Sequence, residues 1–263
     1  MTSESLILSL DGQVQGRIQL PAIFDTPFRP EVIHRAYTNI LSHRFQKQGR
    51  YPAAGEVVSA ESRNTGLGIA RVARIRGEGY SRAGQAAGVA GVRHGRSAHP
   101  PESWKHIYKK INKKEKRLGL LSAVDATANK ELVVARGHRV NNISTFPIIV
   151  SNDIEPIIKT QEFVKILTSL GLHDDLARAR NSSRTKKRMG RPKKWGISAL
   201  LVVRDNSAIM RLSNSIPGVD IRAVESLSVL DLVPGSRPIR LTIFTQGALQ
   251  YFERVMTNHS IRE

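Results

Sequence analysis

GRYPAAGEVVSAESRNTGLGIARVARIRGEGYSRAGQAAGVAGVRHGRSAHPP, residues Gly49 to Pro101, shows neither the 3.6-residue recurrence of an amphipathic helix nor the alternation of a half-buried strand. It holds half of the chain's 20 glycines. Its charged side chains are Arg50, Arg63, Arg71, Arg74, Arg76, Arg82, Arg93 and Arg96 against Glu56, Glu61 and Glu78, and it contains no lysine. A connection this long without elements of its own is rare inside a compact domain and is usually functional or disordered. Low hydrophobicity and abundant glycine leave it too little apolar area to order itself. Guanidinium forks bind phosphate with two parallel hydrogen bonds and stack on flat rings, which ammonium groups do not. The stretch therefore reads as an arm that is unstructured alone and takes shape when buried in nucleic acid, RNA foremost. The competing reading is a solvated, flexible insertion without a ligand. A purely solvating loop has no need to exclude lysine, and the glycines let backbone approach a surface closely.

Outward from the arm, the charge follows a pattern. The chain has 263 residues, a net charge of +19 and a pI near 10.8. Residues 102–117 carry seven Lys and Arg against two Glu, and residues 178–194 carry nine with no acid. With the arm, these stretches account for the whole excess, so the remainder is neutral overall. Three basic attachments on a neutral body are the electrostatic footprint of phosphate binding. There are no cysteines, which excludes disulfides, Cys-ligated zinc and thiol catalysis. No signal-peptide pattern and no run of ~18 apolar residues is present. These features suit a cytoplasmic protein.

The flanks carry regular periodicity. Residues 6–20 read as a hairpin, and Pro30 to about Gln48 as a helix stopped by Gly49. Beyond Pro100-Pro101, Trp104, Ile107, Tyr108 and Ile111 mark one stripe of a helix over 103–117, surrounded by lysines, and a second helical stretch spans 118–130. The two helices flanking the arm are expected to pack together and hold its ends close. Leu132 to Ala135, Ile148 to Val150, Ser198 to Val203, Val219 to Val224 and Ile239 to Phe244 read as strands. Thr160 to Leu170, Leu172 to Arg180, Ser207 to Asn214, Leu227 to Leu232 and Gln246 to Met256 read as helical pieces, with Gly171 just past the end of the first. Strands alternating with helices predict an α/β fold: a mostly parallel sheet flanked by helices, with a long extended non-globular loop inserted between two helices of the N-terminal half. The domain assignment is a single α/β body from 1–48 plus 102–263, and an RNA-threading loop over 49–101.

No GxxxxGK[ST] loop, complete GxGxxG or Gly-x-Ser-x-Gly elbow occurs. His173-Asp174-Asp175 sits at a predicted helix start, where acids serve as dipole partners. No catalytic residue, metal site or cofactor is assigned. The Lys-rich segment 103–117 has a membrane-surface alternative, disfavoured because the arm's arginines and glycines have no membrane rationale. Gly190-Arg191-Pro192 resembles the core of an AT-hook, and the alternative function is a DNA-binding regulator using it. The candidate RNA-binding residues of the loop are Arg50, Arg63, Arg71, Arg74, Arg76, Gly77, Gly79, Arg82, Arg93, His94 and Arg96. Those of the globular part are Lys105, Lys109, Lys110, Lys113, Lys114, Arg117, Arg184, Lys186, Lys187, Arg188, Arg191, Lys193 and Lys194.

RNTGLGIARVARIRGEGYSRAGQ (Arg63 to Gln85), followed by HGRSAHPPESWKHIYKKINKKEKR (His94 to Arg117), resembles the large-subunit ribosomal protein four family in its archaeal and eukaryotic form. The similarity in order and spacing extends over nearly the whole chain and weakens in the C-terminal third. The sequence departs from the family pattern at Glu78, where a small or neutral residue is commoner, and at Ala73, where proline is expected. The resemblance implies an α/β domain at the ribosome surface with a long loop threading inward to the wall of the nascent-peptide exit tunnel, beside a loop of another large-subunit protein. Arg74, Arg76, Gly77, Gly79 and Arg82 would then lie at or near the constriction. The implied partners are large-subunit rRNA, other large-subunit proteins and, transiently, the nascent peptide, with no membrane. Independently, ~50 residues folded back on themselves reach at most roughly 80 Å at ~3.3 Å per residue on each limb, enough to penetrate a large ribonucleoprotein.

Overall fold

In the computed structural model, the described residues are 4–182, 195–205 and 208–252. They fall into two units, one built from the chain up to Leu41 and from Lys109 onward, the other from Ser42–Tyr108. The first unit begins with β1 (Glu4–Leu8) and β2 (Val14–Gln19), an antiparallel hairpin in which Leu8 pairs with Val14 through a bulge. α1 (Pro30–Ser42) follows, with Pro30 at its first position. β3 (Ala60–Ser62) and β4 (Ala73–Ile75) belong to the second unit. The chain then forms α2 (Lys113–Asp125), α3 (Lys130–Arg136), β5 (Ile148–Val150), α4 (Thr160–Ser169) and α5 (His173–Asn181). It continues through β6 (Leu200–Val203), β7 (Asp220–Ala223), the one-turn α6 (Val229–Leu232) and β8 (Thr242–Thr245), after which residues 246–252 are helical.

The six strands of the first unit form one sheet in the order β2-β1-β5-β8-β6-β7, parallel throughout except for the β1–β2 hairpin. Every residue of β5, β6 and β8 is buried, as expected for parallel strands covered on both faces. Phe163 and Leu167 of α4 and Ile33 and Ala36 of α1 join this core, and Phe24 meets Phe244 edge to face with ring centroids 6.1 Å apart. Arg240, just before β8, is 2% exposed. Its guanidinium donates to the carbonyls of Ser198 (2.7 Å), Ala199 (3.1 Å) and Gly218 (2.9 Å) and to the Asp220 carboxylate (2.6 Å), binding the approaches to three strands.

The expected α/β architecture is the observed one, and the helices on either side of the inserted stretch do pack together. Arg35 pairs with Glu115 at 2.6 Å, and Ser122 Oγ accepts from the Arg29 N–H (2.7 Å) while donating to the Pro27 carbonyl (3.0 Å). A Cβ at Gly119 would stand 3.1 Å from the Ala36 Cβ, so glycine sets the closeness of α1 to α2.

Three local expectations are corrected. The helix placed at 103–117 begins only at Lys113, where the Asn112 side chain accepts the Lys114 N–H at 3.0 Å. Trp104 and Tyr108 are 64% and 51% exposed, so the Trp104–Ile111 stripe is not a buried helix face, although Ile111 packs on the core. Leu132 to Ala135, expected as a buried strand, lies in α3. Asn129 caps that helix through the Glu131 N–H and Gly137 ends it in the left-handed conformation. Four apolar residues in a row do not distinguish strand from helix, and the caps on either side decide. The helix expected to reach Gln48 ends at Ser42.

The second unit is built differently. Expected to lack regular elements, it contains a two-stranded antiparallel ladder with Ala60 opposite Ile75, Glu61 opposite Arg74 and Ser62 opposite Ala73. The other side of β4 is bonded by residues 84–87, through Ile75 N–H to Gln85 O and Ala87 N–H to Ala73 O, both 2.9 Å. Among its described residues only one apolar side chain, Ala87, is buried. Phe45, Tyr51, Val57, Val58, Leu67, Ile69, Tyr80, Trp104 and Tyr108 are all exposed. Backbone hydrogen bonds and glycine turns shape this unit, not a hydrophobic core.

Candidate nucleic-acid interface

The arm's arginines divide by environment. Arg63, Arg74 and Arg76 come together around a cavity of about 420 Å³, which Glu61, Ser62, Asn64 and Leu67 also line. Arg74 is half-buried and donates through Nη1 to the Gly84 carbonyl at 2.9 Å. Its Nε is buried with no hydrogen-bond partner among the described residues. Arg76 is exposed and ion-paired with Glu61. Arg50, Arg71, Arg82 and Arg93 are exposed and Arg96 half-exposed, and none of them lines the cavity. Arg50 donates to the Ala54 carbonyl at 3.4 Å, and the Arg71 carbonyl accepts from the Ser62 hydroxyl.

The tip around Arg76 is locally fixed. Gly77 has φ +106°, and a Cβ there would lie 2.8 Å from the Tyr80 ring, whose hydroxyl donates to the Arg76 carbonyl. Gly79 also has positive φ, with open space around it. His94 adopts φ 61° and is exposed. Within the same unit, Tyr108 stacks at a tilt on His43, centroids 5.5 Å apart, and the Lys47 ammonium lies 5.6 Å from the Tyr108 ring centroid.

Of the other basic candidates, Lys105 lies in the second unit and Lys109, Lys110, Lys113, Lys114 and Arg117 in the first. Lys113, Lys114 and Arg117 ride on the first turns of α2, where Arg117 is half-buried, while Lys105, Lys109 and Lys110 precede the helix and are exposed. Arg184, Lys186, Lys187, Arg188, Arg191, Lys193, Lys194 and the AT-hook-like Gly190-Arg191-Pro192 lie outside the described residues. What the sequence reading passed over is Glu61 as the arm's internal partner for Arg76. It also missed an open groove of about 1220 Å³ along α4 and α5, whose lining includes Lys165, Arg180 and the 42%-exposed Trp195. The only signal for the groove was an aromatic residue at the end of a basic run.

His173-Asp174-Asp175, read as structural, contains a buried carboxylate held by four hydrogen-bond donors. Asp175 is fully buried and accepts from Ser198 Oγ (2.6 Å), Arg178 Nε (2.9 Å), the Arg139 N–H (3.0 Å) and His138 Nδ1 (3.1 Å). Burial pushes its carboxyl up, but the hydrogen bonds from His138, Arg178 and Ser198 outweigh burial and hold it well below the usual range. His138 is pushed down by burial against the pull of Asp175, so the neutral ring donates from Nδ1 and accepts the Leu241 N–H at Nε2 (3.3 Å). The network ties α5 to the sheet.

The chain thus combines an α/β body built on a mostly parallel sheet with a core-poor, arginine-rich insertion in the sequence between α1 and α2. Residues 18–255 match the ribosomal protein L4/L1 family, and the chain belongs to it. It is 40% identical over 249 residues to the large ribosomal subunit protein uL4 of Pyrobaculum aerophilum, covering 93% of this chain and 87% of the relative. The proteins of the same name from Thermoplasma acidophilum (38% identity; 97% and 99% covered) and Methanococcus vannielii (37%; 93% and 96%) are similarly related.

Proposed function

We infer that the chain is a structural constituent of the large ribosomal subunit, cytoplasmic within the ribosome, which binds rRNA and neighbouring ribosomal proteins and has no catalytic role. Family membership over residues 18–255 is the observation that carries this. The domain boundaries we propose are an α/β body of residues 1–48 and 102–263 and an rRNA-threading arm of 49–101. The anchoring residues of the body are Lys105 to Arg117 and the basic run ending at Lys194. The arm's Arg50, Arg63, Arg71, Arg74, Arg76, Arg82, Arg93, His94 and Arg96 neutralise phosphates in crevices between RNA helices. Support for this comes from the arm's six exposed large apolar side chains (Tyr51, Val57, Val58, Leu67, Ile69 and Tyr80) and its lack of a core, which leave burial in a partner as the source of its ordering. Each neutralised phosphate releases counterions, so affinity falls steeply with salt. The tip, with Gly77 and Gly79, lines the nascent-peptide exit tunnel beside a loop of another large-subunit protein and meets the nascent peptide in transit. Because ordering is coupled to binding, the arm enters early, while the RNA is still open.

Gradient sedimentation tests the central reading: the endogenous protein is expected with large subunits after a high-salt wash, and its recovery only in free fractions would overturn it. A photo-crosslinker at position 78 in ribosomes holding a stalled peptide tests the tunnel assignment. Absence of any crosslink to that peptide or to the constriction would remove it. Incorporation into matured particles as efficient as during assembly would remove the early step.

A further inference from the structure

Glu61 and Arg74 are directly opposed in the β3–β4 ladder. Residues two apart on a strand share a face, so Arg63 and Arg76 extend that same face by one position on each strand. Glu61, Arg63, Arg74 and Arg76 are accordingly the charged lining of the 420 Å³ cavity: three guanidiniums and one carboxylate, with Ser62 and Asn64 at its edge. The carboxylate sits on Arg76, not on its cross-strand neighbour Arg74. Arg74 instead donates to the Gly84 carbonyl and keeps a buried Nε without a partner among the described residues. The ion-paired side chains are 70% and 61% exposed, so this is a weak surface pair and not a structural lock.

We propose that this face is a phosphodiester-binding cradle, in which Glu61 occupies the phosphate's place at Arg76 while no RNA is bound. A carboxylate and a phosphate present the same two-oxygen edge to a guanidinium fork. A backbone phosphate entering the cavity takes over Arg76, gains Arg63 and returns Glu61 to solvent. A small free anion would have to displace the carboxylate for few contacts, whereas a polymer brings its neighbouring phosphates with it. Glu61 thus biases the cradle toward polyphosphate chains. The cradle presupposes that the arm binds rRNA, and its test separates the two ideas.

Full-length protein is titrated with a large-subunit rRNA fragment at several salt concentrations. Glu61→Gln is expected to tighten binding about threefold, because the competing carboxylate is gone. Glu56→Gln makes the same change in net charge elsewhere in the arm and is expected to shift affinity far less. In an Arg76→Ala background the Glu61→Gln gain should vanish. Equal gains from Glu56→Gln and Glu61→Gln, or a gain that survives Arg76→Ala, would overturn the cradle while leaving rRNA binding intact. Loss of salt-dependent rRNA binding in the unsubstituted protein would overturn both. Inorganic phosphate and pyrophosphate serve as competitors. Displacement of the RNA by either at concentrations matched in phosphate would reassign the cavity to a small anion.

Discussion

His138 and Asp175 meet at 3.1 Å with their side chains 1% and 0% exposed, the imidazole neutral and the carboxylate ionised. The folded protein refuses a proton that the unfolded chain accepts near pH 6.5 at His138, and another that it accepts near 3.8 at Asp175. A group whose folded form resists protonation contributes stability above its unfolded pKa and loses it as pH falls. Both groups therefore act in one direction: stability declines from about pH 6.5 downward and declines again below about 3.8. Thermal unfolding between pH 7.5 and 5 should show this slope, and His138→Gln should flatten it while lowering Tm at neutral pH.

Asp125 has the opposite sign. Burial and then the charge of Asp25 push its carboxyl up to about 6. Folding is penalised for ionising it, so its contribution is favourable below about pH 3.8 and lost as pH rises through 6. Asp125 is also the last residue of α2, where a negative charge opposes the helix dipole. Asp125→Asn should stabilise the protein at pH 7.5 by about 1 kcal/mol, after allowing for solvent screening of a half-exposed group, and should have little effect at pH 4. Paired denaturation curves at the two pH values check this.

Arg240→Lys keeps the charge and removes the fork. One ammonium cannot reach the three carbonyls and the Asp220 carboxylate that Arg240 serves together. A loss of about 3–5 kcal/mol is expected, since buried acceptors are left without donors. Urea unfolding measures it.

Replacing Arg63, Arg71 and Arg76 together by lysine leaves net charge unchanged. The proposed phosphate contacts lose their bidentate geometry, and rRNA-fragment affinity should fall about tenfold. The slope of affinity against salt should stay nearly constant, because it counts neutralised phosphates rather than contact geometry. A fall in slope with no fall in affinity at low salt would contradict the bidentate reading.

The sheet and its covering helices were legible because their signals are local and redundant. Ser198 to Val203 and Ile148 to Val150 are apolar runs at strand length, and both contain central strands. The misplaced helix start has a physical origin. Trp104, Ile107, Tyr108 and Ile111 repeat at helical spacing, but the sequence does not reveal whether a stripe has anything to pack against. Asn112 supplies a cap nine residues later, and the chain begins its helix there. In the arm, composition disclosed which cations are present but not their grouping. Arg63, Arg74 and Arg76 come together only through the register of β3 on β4, which depends on glycine turns rather than on any apolar pattern.

The position of β8 sets a clock on biosynthesis. Thr242 to Thr245 lie between β5 and β6, joining the two halves of the sheet, yet they come after every other strand among the described residues. The N-terminal hairpin with β5 and the β6–β7 pair can form beforehand only as separate fragments. Until translation passes residue 245 the body has no continuous middle, while the arm has long since been synthesised. A newly made molecule thus presents its cationic limb before it owns a finished scaffold.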